Sequence, residues 1–358
     1  MSAKPTKTAR NSAALIVSVA VALPAISLPV ISEPAMSAPA PVKAYANVLP
    51  TEARSQAACE AVDGRIFVST KWGSECVAYF VTKGFERQRR AVVFLDGDVP
   101  LETYADQEKM AANLALARKA MQSWADKLKI RYISISRLGV NGSSGNHGER
   151  GKPRELVIMN AATDALKTRL GLDTVALAGQ SRGSTLAASM LSLGRDDVAC
   201  AVLGSGAFEL VELEYAHKKE LGLKASRAKM QDTMFDPASN ADGIHLDPKR
   251  RIFIIGDEAD TRTPFDQQQR YAAQLKTLGH HAKLIRIEAD GANEHGSTLF
   301  SLPTAGGCLK GTSDEQLAKA NDNLSKRRTA AEIKQLAPPA TGSAALLNAS
   351  LRTATASK

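Results

Sequence analysis

Aromatic residues are scarce, making up 5% of the 358-residue chain, so a core must be built from Val, Ile, Leu and Ala. Cysteine is scarce too. Cys59, Cys76, Cys200 and Cys308 form no C-x-x-C pair, which excludes the common zinc-ligand spacings; no metal or cofactor is expected. No basic stretch interleaves with aromatics, so nucleic-acid binding is not expected. The net charge of +9 reads as a solvated basic surface. Beyond residue 31 no apolar run is long enough to span a bilayer, and there is no internal repeat. With 44% hydrophobic and 23% charged residues, the chain has ordinary globular composition.

The N-terminus carries Lys4, Lys7 and Arg10, then an apolar stretch from Ala13 to Ile31 broken by Pro24 and Pro29, then small-residue sites at Ala38 and Ala44-Tyr45-Ala46. A basic region, an apolar run and a small-x-small site in that order read as an export signal over residues 1–46. The alternative is a retained N-terminal anchor, since about 18 apolar residues can cross a bilayer. Cleavage would give a secreted or periplasmic protein without stable membrane insertion. Export permits disulfides. Cys59 and Cys76 flank a strand and can pair across a hairpin, Cys200 alternatively reads as a small core residue, and four cysteines leave three full pairings open.

Residues 47–58 read as a linker. Short apolar runs then alternate with helical spacing. Strands are expected at Arg65–Thr70 and Cys76–Thr82, joined by a hairpin turn, and at Ala91–Leu95, Ile130–Ile135, Val175–Ala178, Val198–Leu203, Ile252–Ile255 and Lys283–Ile287. Helices are expected at 105–127, Glu155–Leu170, Ser184–Leu193 and Phe265–Leu278. This alternation implies an α/β fold, a mostly parallel eight-stranded sheet with helices on both faces and an antiparallel start. Residues 208–247 interrupt the rhythm and read as a cap or lid inserted in a domain over 59–317. Residues 318–358 read as an extension, disordered over 337–358.

The chemistry centres on Gly179-Gln180-Ser181-Arg182-Gly183. In strand–turn–helix context G-x-S-x-G is a nucleophile elbow: the glycines admit a tight, strained turn that holds the serine at the sheet's C-terminal edge. A serine hydroxyl needs a base and an orienting acid. Asp260 is the leading acid, in the loop Gly256–Pro264 after a strand, with Asp257 and Glu258 as alternatives. His295 is the leading base, the only histidine downstream of the last strand; His280 and His281 precede it and belong at the opposite edge. An oxyanion requires backbone donors: the Arg182 amide and, from the loop after Ala91–Leu95, the amide of Asp98 or of Gly97. The Asp98 side chain reads as a helix cap or as a contact for a cationic substrate group. The glycine-rich loop from Arg137 to Gly148 lacks a G-K-[ST] ending, so it is not a phosphate loop; it reads as a structural loop or a pocket wall.

On these residues the chain resembles the α/β-hydrolase superfamily over about residues 60–310, and within it the single-domain prolyl-oligopeptidase-like and dienelactone-hydrolase-like serine hydrolases. The resemblance rests on Gly179–Gly183, Gly256–Pro264, the loop from Arg137 to Ser144, and His295. It departs in two places: one residue is inserted before Asp260 relative to G-x-x-D-x-x-x-P, and the usual His-Gly after the third strand is Asp96-Gly97. It implies a Ser181–His295–Asp260 triad acting through an acyl-enzyme on a small-molecule ester, or alternatively on short peptides. Asp98, Glu149 or an acid in 208–220 would then meet a peptide's amino terminus, whereas a wholly apolar pocket would favour esters. The chain ahead of the domain is too short for a β-propeller, so gated large-peptidase architecture is not expected. A catalytically inactive binding protein on the same fold is the remaining alternative; a haloalkane dehalogenase would need Asp in the elbow. The oligomeric state is left open.

Overall fold

Residues 55–98, 107–289 and 293–326 are described by the computed structural model. The expected signal (1–46), the linker up to residue 54 and the expected disordered end (337–358) lie outside them, as do Val99 and Pro100. The first described element is a short helix, α1 (Gln56–Glu60), capped by the Ser55 side chain, so helical structure begins three residues before the expected domain start at residue 59. Two strands follow, β1 (Arg65–Thr70) and β2 (Gly73–Val81), paired antiparallel from Thr70↔Gly73 to Arg65↔Ala78.

The rest of the sheet comprises β3 (Arg90–Leu95), β4 (Arg131–Ile135), β5 (Thr174–Gln180), β6 (Val198–Gly204), β7 (Arg251–Gly256) and β8 (His281–Arg286). Its order is β1-β2-β4-β3-β5-β6-β7-β8. β2 meets β4 antiparallel, and every later pair is parallel. The sheet is thus eight-stranded and mostly parallel, as its alternating sequence pattern implied.

Period-two alternation sends side chains to two cores. On β3, Ala91, Val93 and Leu95 join one face and Val92 and Phe94 the other. The first face is covered by α3 (Pro153–Leu170), α4 (Arg182–Leu191) and α7 (Phe265–Thr277). The second is covered by α2 (Gln107–Leu128), α8 (Thr298–Leu309) and α9 (Asp314–Lys326). α9 buries Leu317, Asn321 and Ser325, so the packed fold runs past residue 317, the expected end of the domain. Between β6 and β7 lie α5 (Leu210–Glu220), α6 (Arg227–Thr233) and a 3-10 segment at Ala238–Gly243.

Two disulfides staple the fold. Cys59 in α1 joins Cys76 in β2, and Cys200 in β6 joins Cys308 in α8. Cys200 is therefore not merely a small core residue: the thiol of α8 faces it across the second core. Among the described residues no helix is long and apolar enough to cross a membrane.

Candidate active site

Because β3, β5, β6, β7 and β8 run in one direction, the loops that follow them gather at one edge of the sheet, where open α/β folds place their ligands. Ser181 sits there between β5 and α4 with φ 55° and ψ −126°. A non-glycine residue holds such a conformation only where its surroundings over-determine it. They do: the Ser181 amide donates to the Gly204 carbonyl at 2.8 Å, and the Ser181 carbonyl accepts from Ser184 at 2.9 Å and Thr185 at 3.1 Å. Both elbow glycines are sterically required. A Cβ on Gly179 would lie 2.5 Å from the Gly183 carbonyl carbon; one on Gly183 would lie 2.6 Å from the Asp96 oxygen and closer still to that of Leu95. The helix can therefore approach β3 only as glycine.

The structure brings Asp260 and His295 together. His295 Nδ1 lies 2.9 Å from Asp260 Oδ2 and 3.1 Å from Oδ1. A carboxylate only accepts, so Nδ1 carries the proton and Nε2 is left as the acceptor. The Asp260 side chain is wholly covered. Its Oδ1 accepts the amides of Arg262 (2.8 Å) and Thr263 (3.0 Å), and Thr263 Oγ1 lies 2.7 Å from Oδ2. Asp257 goes elsewhere: it accepts the amides of Ala259 at 2.8 Å and Ala289 at 2.6 Å, tying the loop after β7 to the end of β8. Glu258 pairs on the surface with Arg286. His281 starts β8 and meets Asp314 at the opposite edge. Among the described residues Ser181 Oγ has no hydrogen-bond partner; apo sites often hold such contacts long.

Gln180, which the sequence did not single out, spans three loops. Its Nε2 donates to the His295 carbonyl at 3.0 Å, while its Oε1 packs against Gly97, where a Cβ would come within 2.6 Å of that oxygen and 3.2 Å of Ser181 Cβ. The loop after β3 thus runs directly against the nucleophile position. The Arg182 amide, first in α4, has no intrahelical acceptor.

Asp98 sits among arginines that the sequence did not pair with it. Among the described residues its carboxylate is gripped by Arg137 Nη1 at 2.7 Å and Arg150 Nε at 2.8 Å, with Arg182 Nε and His147 Nε2 each at 3.9 Å. Burial opposes its ionisation, but the surrounding arginines outweigh that and hold its carboxyl well below the usual range. Arg137, itself buried, forks onto Glu155 at 2.8 and 3.1 Å. Arg182 reaches Glu214 on α5, and burial lowers its guanidinium to about 10. The loop from Arg137 to Gly148 therefore anchors the Asp98 loop through its first residue. Glu155 entered the sequence reading only as the first residue of an expected helix. Burial also pushes the Asp96 carboxyl up to about 6, against the opposing pull of Ser134 and Arg137. A small cavity lies behind Arg182, between Leu156, Leu186 and Phe235; Ser181 does not line it.

No protein-family model and no curated protein matches the chain. Solved structures do. An esterase of Pyrococcus furiosus is 15% identical with a TM-score of 0.50, covering 74% of this chain and 97% of its own. Est1E from Butyrivibrio proteoclasticus is 14% identical with a TM-score of 0.48, covering 72% and 100%. The acylaminoacyl peptidase of Pyrococcus horikoshii is 16% identical with a TM-score of 0.46, covering 70% of this chain and 41% of its own. Strand order, crossover pattern and the first of these likenesses together establish that the chain has the α/β-hydrolase fold.

Proposed function

We propose that this protein is a serine hydrolase that cleaves carboxylic esters through an acyl-enzyme. The observation that carries the reading is the pairing of His295 with a fully covered Asp260 at the sheet edge that also holds Ser181 in a strained elbow. His295 Nε2 takes the Ser181 proton, Ser181 attacks the carbonyl carbon, and Asp260 holds the tautomer and stabilises the imidazolium; water then releases the acid by the same route. The Arg182 amide and an amide of the Gly97–Asp98 segment receive the oxyanion. An esterase is among the structural likenesses, but fold does not decide function.

Peptide cleavage is the second reading. It needs an acid free to meet an amino terminus, and the candidates other than the exposed Glu220 at the end of α5 are engaged: Asp98 with Arg137 and Arg150, Glu149 with Arg154, Glu214 with Arg182, Glu212 with Arg227 and Glu209 with Arg270. The groups beside Ser181 are charged and mutually paired rather than apolar, which favours short acyl groups. Two disulfides support an oxidising compartment, hence export. The test is hydrolysis of p-nitrophenyl acetate and p-nitrophenyl decanoate beside aminoacyl p-nitroanilides. Turnover of the acetate alone, lost in Ser181→Ala, supports the proposal; cleavage of the anilides alone replaces it with a peptidase.

A further inference from the structure

The segment between β6 and β7 ends in a tip that the proposed chemistry does not use. α5 closes at Glu220, and Leu221 and Leu223 follow at 59% and 53% exposure, among the most exposed large apolar side chains described. They bracket Gly222, where an added Cβ would meet nothing within 4 Å. The turn therefore stands in open space, with two leucines in water where each loses the benefit of burial.

The tip is also positively charged. Between residues 217 and 229 lie Lys218, Lys219, Lys224, Arg227 and Lys229 against one acid, Glu220. Arg227 is committed to Glu212 and stacks on Tyr215 at 3.8 Å, bracing α6 against α5. Among the described residues none of the four lysines takes part in an ion pair. Met230 is buried and anchors the base of α6. The result is a braced turn with two exposed apolar side chains and four lysines without an ion pair in the segments that flank it. Leu193 and Leu246 are also exposed, but they flank Asp196, Asp197 and Asp247.

We infer that this tip docks on an anionic lipid surface, Leu221 and Leu223 entering the headgroup–acyl boundary and Lys218, Lys219, Lys224 and Lys229 facing the lipid phosphates. Apolar insertion plus basic attraction to anionic lipid is the combination that gives peripheral membrane binding. The charge ring selects lipid over an apolar protein groove, which would leave four ammonium groups facing no counter-charge.

The test places a reporter at the apex. Full-length Leu223→Trp is titrated with phosphatidylglycerol vesicles, and the emission of unreplaced protein, which carries Trp72 and Trp124, is subtracted. The expected result is a blue shift with quenching by bromine-labelled acyl chains. Combining Leu223→Trp with Lys218→Glu, Lys219→Glu, Lys224→Glu and Lys229→Glu should weaken it at least about tenfold. Because docking does not depend on hydrolysis, Leu223→Trp combined with Ser181→Ala should shift equally. An unchanged spectrum, or an equal shift on phosphatidylcholine vesicles, overturns the inference. A shift that grows with protein concentration without lipid assigns the tip to a second copy of the chain and also overturns it.

Discussion

Exchanging Asp260 and Asp257 for Asn, one at a time, should separate two carboxylates that are three residues apart. The Asp260 carboxylate accepts a hydrogen bond from His295 Nδ1 at 2.9 Å and sits 2.7 Å from Thr263 Oγ1, while two amides hold its other oxygen. In Asp260→Asn the amides keep the oxygen, so the new NH2 faces His295. Two donors cannot meet, and the imidazole must present a bare Nδ1, leaving its proton on Nε2 where Ser181 needs an acceptor. Loss of the correct tautomer lowers kcat by about 10³ to 10⁴, or about 4 to 5.5 kcal/mol of barrier. Asp257 instead binds the amides of Ala259 and Ala289. Asp257→Asn turns an NH2 toward one of those N–H groups, costing about 1 to 3 kcal/mol of stability while kcat changes less than about tenfold. Initial rates on p-nitrophenyl acetate, paired with urea unfolding of each variant, read both quantities. A folded Asp260→Asn that keeps its rate, with a folded Asp257→Asn that loses it, would refute the reasoning.

Gly183→Ala drives a methyl into the carbonyl oxygens of Leu95 and Asp96; the shift of α4 should cost about 1 to 3 kcal/mol in urea unfolding and lower kcat by about 10- to 100-fold as the Arg182 amide moves. Replacing Cys200 and Cys308 by Ala should lower the melting temperature more than replacing Cys59 and Cys76. The bridges span 108 and 17 residues, worth about 5 and about 3 kcal/mol by loop entropy. Asp96 has a folded pKa of about 6, raised from 3.8, so the native state holds its proton longer and stability falls as pH rises from about 4 through 6. Asp96→Asn should therefore gain up to about 3 kcal/mol over the unreplaced protein at pH 8 and nothing at pH 4, by thermal melts across that range.

The sheet was legible because each buried strand is a short apolar run punctuated by turn residues, as in Ala91–Leu95. The order Ser181, Asp260, His295 was legible because each follows a recognisable strand. What the sequence withheld depends on contacts between distant segments. Asp98 reads locally as a helix cap, and only the fold brings Arg137 and Arg150 to it. Asp257 and Asp260 differ by one turn of the loop, and which one faces His295 is decided by backbone geometry. Cys200 and Cys308 are 108 residues apart, and no local signal pairs them. Gln180 is the variable position of a motif, so its span from the His295 carbonyl to Gly97 had no sequence signature. Residues 318–326 are polar enough to read as an extension, yet Asn321 is buried, donating to Thr304 and to the Leu317 carbonyl.

The central claim is that Ser181 is an activated nucleophile. Labelling of the folded protein by a fluorophosphonate, which reacts only with such serines, tests it most directly. The account predicts labelling of the unreplaced chain, none of Ser181→Ala, and labelling slowed by orders of magnitude in Asp260→Asn. A folded protein that stays unlabelled, or a Ser181→Ala variant that labels as fast as the unreplaced chain, would contradict it.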